Sequence, residues 1–379
     1  MRVLVVNAGS SSLKLALLDG GDRTLAAREL PAPRATVDRG ALLAALGDGF
    51  ADADVVGHRI VHGGPRFDRA VRVDAEVEAA LAALVDLAPL HQPKSLDALA
   101  GVSAALPDVP AVACFDTAFH AGLPAAAATY PLPAAWRERW PIRRYGFHGL
   151  SHGWVARRAP ELLERPPARL RLISCHLGAG ASLCAIAGGR SVDTTMGFTP
   201  LEGLMMGTRS GSIDPGLLLW LLEHTGMSEP DLADALEHES GLLGLAGSAD
   251  MRTVLDRAGE GDAPAVLALE VYLHRLRAGI GAMAAALGGL DALAFTGGVG
   301  EHAPAIRARA LDGLGFLGLE LDATRNGEAD GDADISGDGA PARTLVIAAR
   351  EDLEIAREAR AVLARPQRPP VRRRARVSS

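Results

Sequence analysis

Arg209 stands in the stretch MGFTPLEGLMMGTRSGSIDP (residues 196–215), flanked by Gly207, Thr208, Ser210 and Gly211, so no bulky neighbour screens its guanidinium. A planar cation on a Gly-rich loop suits bidentate binding of phosphate or carboxylate oxygens. Taken alone, the same loop reads equally well as a solvated surface turn. A second arginine, Arg59, lies in GHRIVHGG, on a short apolar strand that ends at Gly63–Gly64. Near the N-terminus, NAGSSSLK sets Asn7, Ser10, Ser11, Ser12 and Lys14 around a Gly-enabled bend. Backbone N–H groups, hydroxyls and an ammonium together make an anion cradle. It is not a P-loop, because GxxxxGK[ST] is missing and a strand rather than a helix follows.

Two further Gly turns each follow an apolar run: HLGAG at 176–180 and GGVGEH at 297–302. Residues without Cβ let a phosphate approach the main chain. FDTAFH closes an apolar strand with Asp116, and a carboxylate at a strand end suits a cleft. His148, in RRYGFHGLSH beside Arg143 and Arg144, is a candidate hydrogen-bond donor to an anion. His58/His62 and His148/His152 have HxxxH spacing, but Arg59 and Gly149 occupy the Glu position of HExxH, and the flanking glycines argue against a helix. Zinc is therefore disfavoured. No Ser-His-Asp or Cys-His arrangement stands out around a candidate nucleophile. Cations and Gly cradles without a covalent nucleophile fit phosphoryl transfer, in which positioning and charge stabilisation do most of the catalysis.

The elements that must carry these groups alternate between strands and helices, an α/β pattern. Val3–Val6 and Leu13–Leu18 read as strand, turn, strand, and a second such unit surrounds Ile173. Setting Ser12–Leu13 over Ser182–Leu183 aligns them about 170 positions apart, a weak sign of internal duplication that two unrelated hairpins would also give. Helical periodicity runs through 76–87, 217–224, 230–236 and 263–286. At 379 residues two domains are expected, with a crossing near Thr117–Leu123 and a C-terminal helix over 352–363 returning to the first. Net charge of −7 points to neither nucleic acid nor an anionic membrane. The longest apolar run, Ala278–Leu290, is shorter than the roughly 20 residues of a membrane span. Three cysteines (Cys114, Cys175, Cys184) with no CxxC pair and too few apolar residues before Asn7 for a signal segment lead to the expectation of a cytoplasmic protein.

The strings NAGSSSLK, VGHRIVHGG, LAPLHQP, FDTAFH, RRYGFHGLSH, HLGAGAS, TTMGFTPLEGLMMGTRSGSIDP, DMR, FTGGVGEH and EDLEIAR occur in the order seen in acetate kinases, and the chain resembles that family from Val3 to Arg357. The resemblance implies an α/β fold of two duplicated ribonuclease-H-like (actin-like ATPase) domains of the sugar kinase/Hsc70/actin superfamily, with an interdomain cleft. It implies an N-terminal domain over 1–117 completed by a helix over 352–364, a nucleotide-binding domain over 118–351, and a basic, disordered tail over 365–379. The implied activity is Mg²⁺-dependent transfer of phosphate from ATP to acetate, with Mn²⁺ as a substitute ion. The alternative is a kinase preferring propionate or butyrate. A homodimer is implied, with neither nucleic acid nor membrane as partner.

By the same resemblance, Asp116, His148, Arg209 and Arg59 are catalytic, and Arg59, Val61, Leu90, His91 and Pro200 hold the acid. Ser10, Ser12, Lys14, His176, Leu177, Gly178, Ala179, Gly180, Asp250, Met251, Arg252, Gly298, Val299, Gly300, Glu301 and His302 would meet ATP, and Asn7 and Glu351 the metal. Ala179, Ser212 and His302 depart from the family's usual Asn, Asp and Asn. The first departure removes a hydrogen bond worth about 0.5–1.5 kcal/mol net near the nucleotide. Acetate, with a pKa of about 4–5 like a Glu side chain, is already ionised at neutral pH. Asp116 is therefore expected to orient the metal, its water or an arginine rather than to act as a base.

Overall fold

The computed structural model describes residues 1–9, 12–31, 39–47, 49–87 and 92–365. Ser10, Ser11, Leu90, His91 and the basic tail from 366 onward lie outside the described residues. β1 (Val3–Ala8) and β2 (Ser12–Leu18) form an antiparallel hairpin in which Asn7 pairs with Lys14. β3 (Thr24–Pro31) extends it, β4 (Val55–Ile60) lies parallel to β1 on the other side, β6 (Ala111–Phe115) lies parallel to β4, and β5 (Val71–Arg72) edges the sheet. The run VLVV of β1 is buried on both faces, as a strand at the centre of a helix-covered sheet requires.

The second sheet repeats this plan. β7 (Arg171–Leu177), β8 (Ala181–Ala187) and β9 (Arg190–Thr194) form the antiparallel meander. β10 (Ala292–Thr296) runs parallel to β7, β12 (Arg343–Val346) parallel to β10, and β11 (Ala333–Asp334) antiparallel at the edge. The two orders, β3-β2-β1-β4-β6-β5 and β9-β8-β7-β10-β12-β11, are identical element for element. The duplication suggested by the two Gly-turn hairpins thus extends to all six strands of each sheet, with β2 and β8 equivalent.

Two helices lie between the sheets. Gly149–Leu162 covers β7 and β10 through Val155, Ala156 and Ala159. Glu351–Ala364 covers β1, β4 and β6 through Ile355, Ala356 and Ala359, so the C-terminal helix does return to the first sheet. A Cβ on Gly57 of β4 would stand 2.6 Å from the Ile355 side chain, which is why a strand position there carries none. The expectation that glycines prevent a helix after His148 is corrected: Gly149 and Gly153 both lie within a helix of 14 residues. A Cβ at Gly149 would stand 2.1 Å from the Asp116 carbonyl, so glycine permits this helix to start against β6 and costs it only propensity. The remaining periodic segments are helical nearly as read: Ala75–Ala82 with a 3₁₀ turn at Val85–Leu87, Pro215–His224, Glu229–Asp234 and Ala263–Leu287. Glu229–Asp234 continues into a π-helical turn, Ala235–Glu239, that periodicity does not reveal.

Candidate active site

Arg59, at the C-terminal end of β4, is held almost completely. Its Nε donates to Asp116 Oδ1 and Oδ2 at 2.9 and 3.1 Å, its Nη2 to Asp116 Oδ2 at 2.6 Å, and its Nη1 to Asn7 Oδ1 at 3.1 Å. Glu351 Oε2 stands 3.5 Å from Nη1 and accepts from Asn7 Nδ2 at 2.7 Å. Parallel pairing of β1, β4 and β6 brings these side chains together by placing Asn7, Arg59 and Asp116 at neighbouring strand ends. The C-terminal helix adds Glu351 at its first position. Burial raises the Asp116 carboxyl, opposed by Arg59. Three guanidinium contacts on its two oxygens serve the ionised form. Burial works against Arg59 as well, but Asp116 and Glu351 raise it, so the guanidinium stays charged. Glu351 is lowered despite burial, chiefly by Arg59 and then by His176, and is a carboxylate.

Arg209 comes from the second domain's long loop. Its Nε faces Glu237 Oε2 at 3.0 Å, and its Nη1 donates to the Pro200 carbonyl at 3.2 Å. The loop is pinned by Gly207 N to Ala179 O (3.1 Å), by Ser212 N to Gly203 O (2.9 Å), and by Gly203 N to the Ser212 hydroxyl (3.0 Å). Gly211 has φ of 72°, and a Cβ there would stand 2.5 Å from Leu204 O. Glu202 accepts from Arg144 (2.8 Å) and Tyr130 (2.5 Å), fastening the loop to the segment that leads to His148. The surface-turn reading of this loop is therefore excluded: Arg209 is largely buried and its surroundings are built.

His148 caps the Gly149–Leu162 helix in a left-handed conformation, φ 54°, which turns its ring toward Arg209. A Cβ on Gly180 would lie 3.2 Å from His148 Nε2 and 3.6 Å from Arg209 Nη1, so Gly180 marks the point where the two side chains converge. His148 stacks on His176 with ring centroids 4.3 Å apart. Burial, and then the neighbouring His176, Arg59, His152 and Arg209, push the His148 imidazole well below its ordinary value, so it is neutral.

The other residues singled out in the sequence divide into two groups. The turns at 176–180 and 297–302 do meet, with Gly297 (φ 79°) close against Leu177 O, and Gly207 packs between Ala179 O and Ala249 O, the residue before the 250–252 turn. Gly178 lies beside the His176 ring, and Gly298 opens on free space. Lys14 is exposed on β2, within electrostatic range of Glu351. Ser12 accepts from Gly9 N with its carbonyl at 2.9 Å. Within the second group, Met251 belongs to the core and Asp250 caps its own helix while pairing with Arg252 at 2.8 Å. Glu301 takes Ala349 N (3.1 Å), Gly300 and Glu301 offer their carbonyls to the buried Arg307, and Val299 packs on the core. Val61 is buried among Tyr145 and Phe147, near the edge-packed ring of His62. Pro200 contributes its carbonyl to Arg209. His302 ends the short Gly297–His302 helix, and the structure gives its departure no evident consequence.

Sequence reasoning missed three partners. Glu237 is 28 positions from Arg209 and reaches it only because the π-helical turn carries it inward. Buried Lys94 donates to Gly9 O at 2.5 Å. Ser182 sits between His148 and His152. A lysine inside the small-residue run QPKSLDALAG was the one available signal.

Among the described residues, no group of three or more His, Cys, Asp or Glu side chains is arranged to hold a metal, so a cage of protein ligands is excluded there. The Glu351 carboxylate fits a hard cation that keeps water and phosphate as its remaining ligands; Asn7 stands beside it, donating its Nδ2 to Glu351 Oε2 and accepting from Arg59 with its Oδ1.

Two identically ordered sheets with arginines from both converging between them define a phosphotransferase of the duplicated ribonuclease-H-like, actin-like ATPase class. A profile of the acetokinase family matches residues 40–357, and the chain belongs to that family. It is 47% identical over 399 residues to the acetate kinase of Gloeobacter violaceus, covering 94% of this chain and 98% of that one. It is 49% identical over 387 residues to the acetate kinase of Leifsonia xyli subsp. xyli, with the same coverage. Among solved structures, Porphyromonas gingivalis acetate kinase superposes with a TM-score of 0.87 at 35% identity (96% and 99% covered). A propionate kinase from Francisella tularensis superposes with 0.88 at 34% (95% and 99%). Family membership implies an ATP-dependent kinase that acts on a small molecule with a divalent metal. Among the described residues, no helix is long and apolar enough to cross a membrane.

Proposed function

We propose that the protein is a cytoplasmic, Mg²⁺-dependent acetate kinase that transfers the γ-phosphoryl group of ATP to acetate, reversibly. The observation that carries this reading is the convergence of Arg59, Arg209 and neutral His148 between the two sheets. An acetate oxygen bonds to the γ-phosphorus as the bond to the ADP oxygen breaks, with no proton to remove. The difficulty is charge, because an anion must approach a polyphosphate. Arg59 would bind the acetate carboxylate, with Val61 limiting the space for its chain. Arg209 would take the equatorial oxygens of the transferring group, and a well-placed arginine is worth about 10³–10⁵ in rate. Asp116 would act through Arg59, fixing the plane of its guanidinium, and Glu237 would do the same for Arg209. Asn7 and Glu351 would hold the metal, which when bound neutralises phosphate charge. Leu177, Gly178, Ala179, Gly180, Gly298 and the neighbouring turns at 250–252 and 299–302 would line the nucleotide, and Lys14, with Ser10 and Ser12, its phosphates. Leu90 and His91 would complete the acid pocket.

The domain partition we infer is residues 1–117 with helix 352–364, and residues 118–351. A homodimer is supported by the Pro215–His224 helix, PGLLLWLLEH, which buries none of its residues and leaves Leu217, Leu219 and Trp220 exposed. An apolar face of that kind in a chain with a closed core suits a second copy. The likeness to a Francisella propionate kinase keeps a second reading, propionate as the preferred acid. Incubation with ATP, Mg²⁺, hydroxylamine and each acid tests both. Acetyl hydroxamate formed faster than propionyl hydroxamate supports the first reading, the reverse order supports the second, and no hydroxamate refutes both.

A further inference from the structure

Behind His148 lies a buried line of alternating imidazoles and hydroxyls. His148 Nδ1 is 2.9 Å from Ser182 Oγ, the same Oγ is 2.8 Å from His152 Nε2, and His152 Nδ1 is 2.8 Å from Ser174 Oγ. Ser174, His152 and Ser182 are wholly buried. His176, stacked on His148, is tied separately to the Ser151 hydroxyl at 2.8 Å. The line starts at β7 (Ser174), crosses the interdomain helix (His152), touches β8 (Ser182) and ends at the cleft, where His148 Nε2 faces the space beside Gly180 and Arg209.

A hydroxyl has one proton and a neutral imidazole has one donor and one acceptor nitrogen. Each link constrains the next, and the line has two directional polarities. Ser182 can also accept from both imidazoles, but its own buried proton would then have no acceptor in the line, and His148 would take the same tautomer as in the second polarity. In one, Ser174 donates to His152 Nδ1, His152 Nε2–H donates to Ser182, and Ser182 donates to His148 Nδ1. His148 must then carry its proton on Nε2, pointing into the cleft. In the other polarity every link reverses, and His148 presents a lone pair to the cleft. A phosphoryl oxygen bound beside Gly180 accepts from the first arrangement and is repelled by the second.

We propose that His152 is a positioning residue for phosphoryl transfer: through Ser182 it holds His148 in the Nε2–H tautomer, so that an uncharged imidazole donates to the transferring group. This rests on the phosphotransferase reading above. A neutral donor suits a site that already holds two guanidinium groups, because it stabilises the transition state without a third fixed charge to desolvate. The line also explains why burying polar groups behind the active site is tolerated, since each atom of the line has a partner.

The test uses the full-length protein with ¹⁵N-labelled histidine, Mg²⁺, acetate and a non-hydrolysable ATP analogue. Imidazole ¹⁵N shifts distinguish the two tautomers. Wild type is expected to show His148 protonated at Nε2, and Ser182→Ala is expected to show a mixture or the Nδ1–H form. Ser182→Ala and His152→Leu should lower kcat about 10- to 100-fold, the range for losing one hydrogen bond to a charged group, with KM for ATP and acetate within about threefold. His152→Gln, whose amide can donate where Nε2–H donates, should recover most of that loss, and Ser174→Ala provides a milder variant if His152→Leu fails to fold. A wild-type Nδ1–H tautomer, or an unchanged tautomer and kcat in Ser182→Ala, overturns the proposal. Both readouts are independent of whether acetate is the acid phosphorylated, which the hydroxamate comparison decides.

Discussion

The Arg59 guanidinium is gripped along one edge by Asp116, with contacts of 2.6 to 3.1 Å, while its Nη1 reaches Asn7 and Glu351. A carboxylate committed to three N–H contacts has little freedom to accept a proton from a substrate that carries none. Asp116 therefore belongs to the orientation of Arg59. Asp116→Asn is expected to lower kcat/KM for acetate by at least about 10-fold, because the Arg59 guanidinium loses the carboxylate that fixes its plane. The same change made on an Arg59→Ala background should cost little more, since the two residues act as a unit. Steady-state kinetics on the double-mutant cycle measures this. Additive losses would give Asp116 a role apart from Arg59.

Glu237 stands to Arg209 as Asp116 does to Arg59, through one contact of 3.0 Å. Glu237→Gln keeps the shape and removes the charge. It is expected to lower kcat by at least about 10-fold, because the buried guanidinium loses the carboxylate that opposes its charge, while leaving the KM for acetate near wild type. A change confined to KM would place Glu237 in acid binding.

Acidification should unfold the protein sooner than an ordinary chain of this size. Burial pushes His58 down to about 3 and His62 and His120 down to about 4, and it lowers His148, His152 and His176 as well. Between these folded values and the unfolded value of about 6.5, the unfolded chain binds protons that the folded chain refuses, so stability is present above about 6.5 and is lost as pH falls. Each such histidine contributes up to about 1.4 kcal/mol per pH unit across that window. Thermal midpoints recorded from pH 7.5 to 5 should fall steadily, and a flat or rising profile would contradict the neutral-histidine assignment.

Val61, buried in one apolar cluster with Phe147, is the residue proposed to limit the room for the acid's chain. Wild type should prefer acetate to butyrate, each methylene being worth about 1–3 kcal/mol in discrimination. Val61→Ala should narrow the ratio of kcat/KM values, and equal ratios in both enzymes would remove Val61 from specificity.

Much of this was legible in the residues, and the exceptions have physical causes. The hairpins at β1–β2 and β7–β8 announce themselves through apolar runs broken by Gly turns, whereas the other strands that complete the duplication are shorter or flanked by less distinctive turns. Arg59, Asp116, His148 and Arg209 could be picked out because charged or polar residues at strand ends and on Gly loops are hard to explain as core. The helix after His148 was misjudged because its glycines were weighed by propensity, whereas close approach to Asp116 O decided the matter. Glu237 and Ser182 reach their partners across tertiary contacts and carry no local pattern, and His152 stands out only through its HxxxH spacing to His148. Nothing in the spacing tells that a glutamate 28 residues away, in a π-helical turn, will reach Arg209.

The central claim is that Arg209 stabilises the phosphoryl group in flight rather than the bound substrates. Arg209→Ala, assayed with saturating ATP and Mg²⁺ over a range of acetate, measures it most directly. The expected result is a fall in kcat of at least about 10³ with KM for acetate nearly unchanged; a kcat within tenfold of wild type would contradict the account.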